Sequence, residues 1–138
     1  MSTFNEEFCV PINSAADIVI ARQKGRALAV QLGFNGSEPT LIAAAISEVA
    51  RNIVNHAERG EIVLSGILKS GRQGVQVVAR DQGPGIHDVT QAMQYGYSSG
   101  KGMGVGLPGA KWLMDEFDIV SLVGKGTTVT MRKWLRER

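Results

Sequence analysis

Glu61-Ile-Val-Leu-Ser-Gly-Ile-Leu-Lys69, Ser70-Gly-Arg-Gln-Gly74, Val75-Gln-Val-Val-Ala-Arg80 and Asp81-Gln-Gly-Pro-Gly-Ile86 follow one another without interruption. Two β-branched runs flank a cluster of turn residues, which predicts an antiparallel hairpin with a longer loop over 70–74 and a second turn beginning at Asp81. Upstream the period changes from two to 3.6. Ser14-Ala-Ala-Asp17 has the form of a capping box, and Ile18, Ala21, Gly25, Leu28, Ala29 and Leu32 fall within about 100° of one helical face, with Gly33 as the stop. Ser37-Glu38-Pro39 opens a second helix whose Ile42, Ala45, Ile46, Val49 and Ile53 again share one face, and Gly60 ends that element or the turn after it. Phe4 to Ile12, closing near Pro11, is expected as a short edge strand. Downstream, the pattern gives a short helix over Asp88 to Met93, a glycine-rich segment, and a helix from Val105 or Leu107 to Phe117. A last hairpin follows, Asp118 to Val123 and Thr127 to Leu135, joined by Gly124-Lys125-Gly126. The order β-α-α-β-β-α-α-β-β predicts an α+β sandwich: a mostly antiparallel sheet with helices on one face.

Composition bounds the function. With 138 residues, 43% hydrophobic and 20% charged, the chain is expected to be a single domain over 1–138 that buries roughly 68% of its unfolded surface. No repeat, linker or low-complexity tract marks a boundary. The apolar stretch Leu41 to Ile46 is far short of the ~20 residues a bilayer requires, and Glu6 and Glu7 stand where a secretory signal carries basic residues, so a cytoplasmic protein without membrane contact is expected. Cys9 has no disulfide partner and, with His56 and His87, forms no zinc cluster, so a metal would have to arrive with a ligand. Four of the 15 basic residues but one of the 13 acids lie in Arg132 to Arg138; without them 11 basic and 12 acidic side chains remain. The high pI is a tail effect, and nucleic acid is not expected as a partner.

Four segments carry chemistry. Glu48, Asn52 and Asn55, at i, i+4 and i+7, form a stripe about 60° wide bordering the apolar face of the second helix, suited either to a solvated edge or to an ion with its waters. Asp81-Gln82-Gly83-Pro84-Gly85 is either an ordinary turn or a carboxylate at a strand end that accepts from an exocyclic amine, its glycines admitting a flat ring. Gly100-Lys101-Gly102-Met103-Gly104-Val105-Gly106-Leu107 runs into a helix; its amides and the helix dipole make an anion cradle, to which Lys101 adds a mobile charge. Six of the chain's 17 glycines fall between Gly96 and Gly109. The stretch is not a dinucleotide fingerprint, because no strand precedes it and no acid lies ~20 residues on. Nor is it a Walker loop: Gly102 stands where Ser or Thr would hold magnesium, and Tyr95 where the first glycine would be. The fourth segment, Gly124-Lys125-Gly126-Thr127-Thr128, is by itself a turn.

Taken in order, Glu48-Val-Ala-Arg-Asn52, Asp81-Gln-Gly83-Pro-Gly85, Gly102-Met-Gly104-Val-Gly106 and Gly126-Thr127 resemble the N, G1, G2 and G3 boxes of the Bergerat-fold (GHKL) ATPases, the group of gyrase, Hsp90 chaperones, histidine kinases and MutL. More narrowly, Asp17-Ile-Val-Ile-Ala-Arg-Gln23, Ala45-Ile-Ser-Glu-Val-Ala-Arg-Asn52, Leu113-Met-Asp-Glu-Phe117 and Lys133-Trp134-Leu135 resemble the RsbT-type switch serine kinases of the bacterial stressosome. The resemblance implies a two-layer Bergerat sandwich with a mostly antiparallel mixed sheet. It also implies ATP and Mg2+ as cofactors, and protein serine kinase activity.

By the same resemblance Glu48 is the catalytic base and Asn52 the magnesium ligand. Asp81 reads the adenine amino group, and Gly83 and Gly85 make room for the ring. Lys101 and the amides of Gly102, Gly104, Val105, Gly106 and Leu107 bind phosphates, and Thr127 lies near the adenine by way of Asp81 or a water. The lid, about Met93 to Lys101, carries no arginine in Ser98-Ser99-Gly100-Lys101, so transition-state charge falls to Lys101 or to a partner. The implied substrates are STAS-domain proteins of the RsbS and RsbR type, and the implied second partner is an RsbU-type serine phosphatase; Arg22 and Arg26 are either part of that surface or ordinary solvated arginines. An anti-sigma factor of the RsbW or SpoIIAB kind shares every one of these motifs and is the alternative. A histidine-kinase module is disfavoured, since 138 residues leave no room for a dimerisation helix pair.

Overall fold

The computed structural model describes residues 2–3, 7–86, 93 and 106–136. The short helix expected over Asp88 to Met93, the lid, and Lys101, Gly102, Gly104 and Val105 therefore lie outside the described residues, apart from Met93 itself. The described elements are β1 (Ser2–Thr3), β2 (Phe8–Ile12), α1 (Ala15–Leu32), α2 (Glu38–His56), β3 (Gly60–Lys69), β4 (Arg72–Asp81), α3 (Gly106–Leu113), β5 (Glu116–Leu122) and β6 (Gly126–Trp134).

Both early helices begin and end where the pattern placed them. The Asp17 carboxylate accepts the Asn13 and Ser14 N–H groups at 2.8 and 3.2 Å, satisfying donors at the start of α1. At the other end Gly33, with φ 108°, and Phe34 return their N–H groups to Val30 and Ala29. The predicted stripes of α1 and α2 are buried, with Ile18 packed at the margin. They meet Ile62, Leu64, Val75, Val77, Ala79, Val129 and Met131 on one sheet face, so the helices form one layer and the sheet the other.

In the sheet, β3, β4, β6 and β5 lie side by side in that order, while β1 and β2 both pair with the outer edge of β3. Every described pairing is antiparallel, which corrects the mixed sheet expected from the resemblance. The geometry explains it: β5 runs parallel to β4, but β6 is inserted between them and pairs with both. The β3–β4 connection is also tighter than the expected loop over 70–74. Ser70 (φ 52°) and Gly71 (φ 79°) form a two-residue turn and Lys69 pairs with Arg72, a twist that matches the strands.

The helix expected to reach Phe117 stops at Leu113 instead. Asp115 has already joined β6, its N–H bonding to the Arg132 carbonyl and its carboxylate accepting the Trp134 N–H at 2.8 Å. The basic tail is tied down in the same region. Arg132 pairs with Glu116, Arg136 with Asp115, and the Lys133 ammonium donates to the Leu113 carbonyl. Cys9 is exposed on β2, where partial desolvation and neighbouring Glu61 push its thiol pKa up. No described helix is long and apolar enough to cross a membrane.

Candidate functional site

The alternation of β4 decides where the chemistry sits. Val75, Val77 and Ala79 point into the helix layer, and Asp81, two residues further, is the last inward residue of the strand and 9% exposed. Its neighbours in register are Gly60 on β3 and Thr127 on β6. Asp81 Oδ1 accepts the Gly83 N–H at 2.9 Å and the Thr127 N–H at 3.3 Å. Both bonds fall on one oxygen, and Oδ2 has no hydrogen-bond partner among the described residues.

The glycines of this turn are required by packing within the chain itself. A Cβ on Gly83 would lie 2.6 Å from the Ala57 Cβ, and one on Gly85, at φ 80°, would lie 2.4 Å from the Leu122 carbonyl oxygen. They let the turn pack against the end of α2 and the end of β5. Gly126, at φ 116°, brings β6 so close that a Cβ would stand 2.1 Å from the Asp81 carbonyl oxygen.

Thr127 is buried, and its hydroxyl lies 2.8 Å from that of Ser121 on β5. Ser121 also accepts the Ile86 N–H at 2.7 Å, so one hydroxyl joins β5, β6 and the turn after Asp81. The sequence reading missed Ser121. Its signal is a polar residue on the half-buried face of β5, where Phe117 and Ile119 precede it and Thr127 lies opposite.

The other wall is α2. Gly83 touches its C-terminal end at Ala57, and Glu48, nine residues earlier, lies about 13 Å away along the axis. The Glu48 side chain is 13% exposed and doubly held: Oε2 accepts from Arg51 at 2.8 Å, and Oε1 accepts the N–H of Gly106, the first residue of α3, at 3.0 Å. The positive end of α3 thus faces a carboxylate. Leu107 sits in the core, so its contribution to such a cradle is restricted to its backbone. Asn52, one turn after Glu48, is half-buried and makes no hydrogen bond to a described residue, while Asn55 is exposed. Among the described residues no three His, Cys, Asp or Glu side chains converge on a point that could hold a metal ion. Lys101, Gly102, Gly104 and Val105 cannot be added to this geometry, since they lie outside the described residues.

The histidine kinase-like ATPase domain family matches residues 13–133. Serine/threonine-protein kinase RsbT of Bacillus subtilis (strain 168) is 46% identical over 132 residues, which cover 96% of this chain and 99% of that protein. The anti-sigma F factor of Caldanaerobacter subterraneus subsp. tengcongensis is 32% identical over 121 residues, 83% of each chain. Among solved structures, the mycobacterial sensor histidine kinase MprB superposes with a TM-score of 0.55 at 13% identity, covering 95% of this chain and 97% of that one, a likeness of fold.

Proposed function

Since the chain belongs to the histidine kinase-like ATPase domain family and, within it, to the RsbT-type serine/threonine-protein kinases, we propose that it is a cytoplasmic switch kinase of stress signalling, one kinase domain over 1–138. The enzyme class follows from the family: a serine/threonine-protein kinase that uses ATP. In this proposal the acceptor is a serine of a STAS-domain protein of the RsbS or RsbR type. Released from that substrate, the kinase binds and activates an RsbU-type serine phosphatase. The observation that carries the reading is the pairing of Asp81, whose Oδ2 has no hydrogen-bond partner among the described residues, near the C-terminal end of α2 with the anchored Glu48 carboxylate at its middle, where Asn52 is likewise without a hydrogen-bond partner among the described residues.

The residues present fit ATP with Mg2+. Asp81 Oδ2 is an acceptor for the exocyclic amine of adenine, and Thr127 flanks it. Asn52 offers an amide oxygen to a magnesium ion, whose other ligands would come from phosphate and water. The bound nucleotide supplies the phosphoryl group, and the ion neutralises its charge. Gly106, with Leu107 and the Lys101 to Val105 segment, supplies donors for the phosphates. Glu48 would accept the proton of the acceptor hydroxyl as the hydroxyl oxygen replaces the bridging oxygen on the γ-phosphorus, ADP leaving with the electron pair of the broken P–O bond, a contribution of roughly 10²–10⁴ in rate.

The test is incubation with labelled ATP, magnesium and a STAS-domain protein. Label on a serine, retained ATP binding in Glu48→Ala and loss of transfer by about 10²-fold or more support the proposal. ATP binding with no acceptor refutes it. The 32% identity to an anti-sigma F factor favours a second reading, in which sequestering a sigma subunit is the main activity. Parallel pull-downs against sigma subunits and a STAS protein separate the two.

A further inference from the structure

Resting on the reading of Glu48 as the base, we propose that Arg51 is a positioning residue for phosphoryl transfer, fixing the plane of the Glu48 carboxylate while nucleotide competes for its other anchor. Glu48 is gripped by two donors of different kinds. Gly106 contributes a backbone amide from the start of α3, and Arg51 a guanidinium from the next turn of Glu48's own helix. Each carboxylate oxygen has two lone pairs, so one bond to each leaves a site on each oxygen for an incoming hydroxyl. The carboxylate is oriented without being used up.

The two anchors differ in what else they can do. Gly106 stands at the end of the glycine-rich segment, where a helix N-terminus draws phosphate, so a phosphate oxygen and Oε1 share one N–H. Arg51 sits at i+3 on the same helix, about a third exposed, and its 2.8 Å contact to Oε2 does not pass through Gly106. With nucleotide present, Arg51 is the anchor that remains. Ser98-Ser99-Gly100-Lys101 contains no arginine, so the guanidinium beside the base comes from α2. A planar, permanently charged fork suits this task better than an ammonium.

The experiment compares full-length wild type, Arg51→Met, Arg51→Lys and Glu48→Gln by two readouts. The first is the backbone amide of Gly106, followed by 15N NMR and hydrogen exchange in the nucleotide-free chain. The second is the transfer rate at saturating ATP, measured separately from the ATP dissociation constant. Arg51→Met is expected to move the Gly106 amide signal towards that of Glu48→Gln and to speed its exchange. It is also expected to slow transfer by about tenfold or more while leaving ATP affinity within about threefold, since misplacing a reacting group by an ångström is worth up to ~10² in rate. Arg51→Lys should recover part of both effects. A Gly106 signal that moves in Glu48→Gln but not in Arg51→Met overturns the proposal, as does a fall in affinity that matches the fall in rate. A wild-type chain that phosphorylates no acceptor sinks the kinase reading alone, because the Gly106 amide still reports whether Arg51 holds the carboxylate.

Discussion

Asp81→Asn exchanges one carboxylate oxygen for an amino group and changes little else in shape. Asp81 Oδ1 already accepts two intrachain N–H groups, from Gly83 and Thr127. Only the oxygen of an asparagine can take over those bonds, so its amino group is forced into the place of Oδ2. An acceptor for the adenine amine becomes a donor facing another donor. A hydrogen bond to a charged group contributes about 1.5–3 kcal/mol, so ATP binding should weaken by roughly 10- to 100-fold at about 1.4 kcal/mol per decade. The carbonyl that guanine carries at the same position gains a donor, and the ATP to GTP affinity ratio should fall by at least as much. The fold should lose about 1 kcal/mol, because the two internal bonds survive in neutral form. Titration calorimetry with both nucleotides and a thermal melt measure all three quantities. ATP affinity within about twofold of wild type, or equal weakening of both nucleotides, would show that Oδ2 does not face the base.

Three further substitutions test the frame. Gly126→Ala combines an unfavourable backbone (φ 116°) with a Cβ against the Asp81 carbonyl, each worth about 1–3 kcal/mol; a loss of about 3 kcal/mol and ~10 °C in Tm is expected. Gly124→Ala, also at positive φ but with nothing within 4 Å, should lose only about 1 kcal/mol, and equal melting temperatures for the two variants would refute the close-approach argument. Glu116 has its pKa lowered, first by the Trp134 indole N–H and then by Arg132. A depressed carboxylate stabilises the fold above its unfolded pKa of about 4.3 and loses that contribution as pH falls through the lower folded value. Denaturant titrations should therefore show wild type more stable than Glu116→Gln near pH 6, with the two curves converging below about pH 4. Parallel curves would contradict the assignment.

The helices and hairpins were legible because each is announced locally: Ser14 and Asp17 begin α1, Gly33 ends it, and the apolar stripe of α2 has a single period. Leu113-Met-Asp-Glu-Phe117 misled because its apolar spacing also suits a helix, whereas the pairing of Asp115 and Glu116 with β6 decides its conformation. Ser70-Gly71 could not be told from its polar neighbours, since strand twist selects the two-residue turn. Of the candidate site, Glu48, Asn52, Asp81 and Thr127 stood out only through the order of their four segments along the chain, since each segment by itself also reads as a helix edge or a turn. Ser121 and the bond between Glu48 and Gly106 did not stand out. They join residues 35 and 58 positions apart, so they depend on which segments the fold brings together.

The insertion of β6 between β4 and β5 bears on how the protein comes into being. The aspartate turn is completed by an amide 46 residues further along, so a chain emerging from the ribosome holds α2 and β4 long before it can hold a base between them. Closing so long a loop is slow compared with local pairing. The last described strand is also the one that joins β5 to the rest of the sheet, and any nucleotide that favours the finished pocket rewards its arrival and opposes its departure.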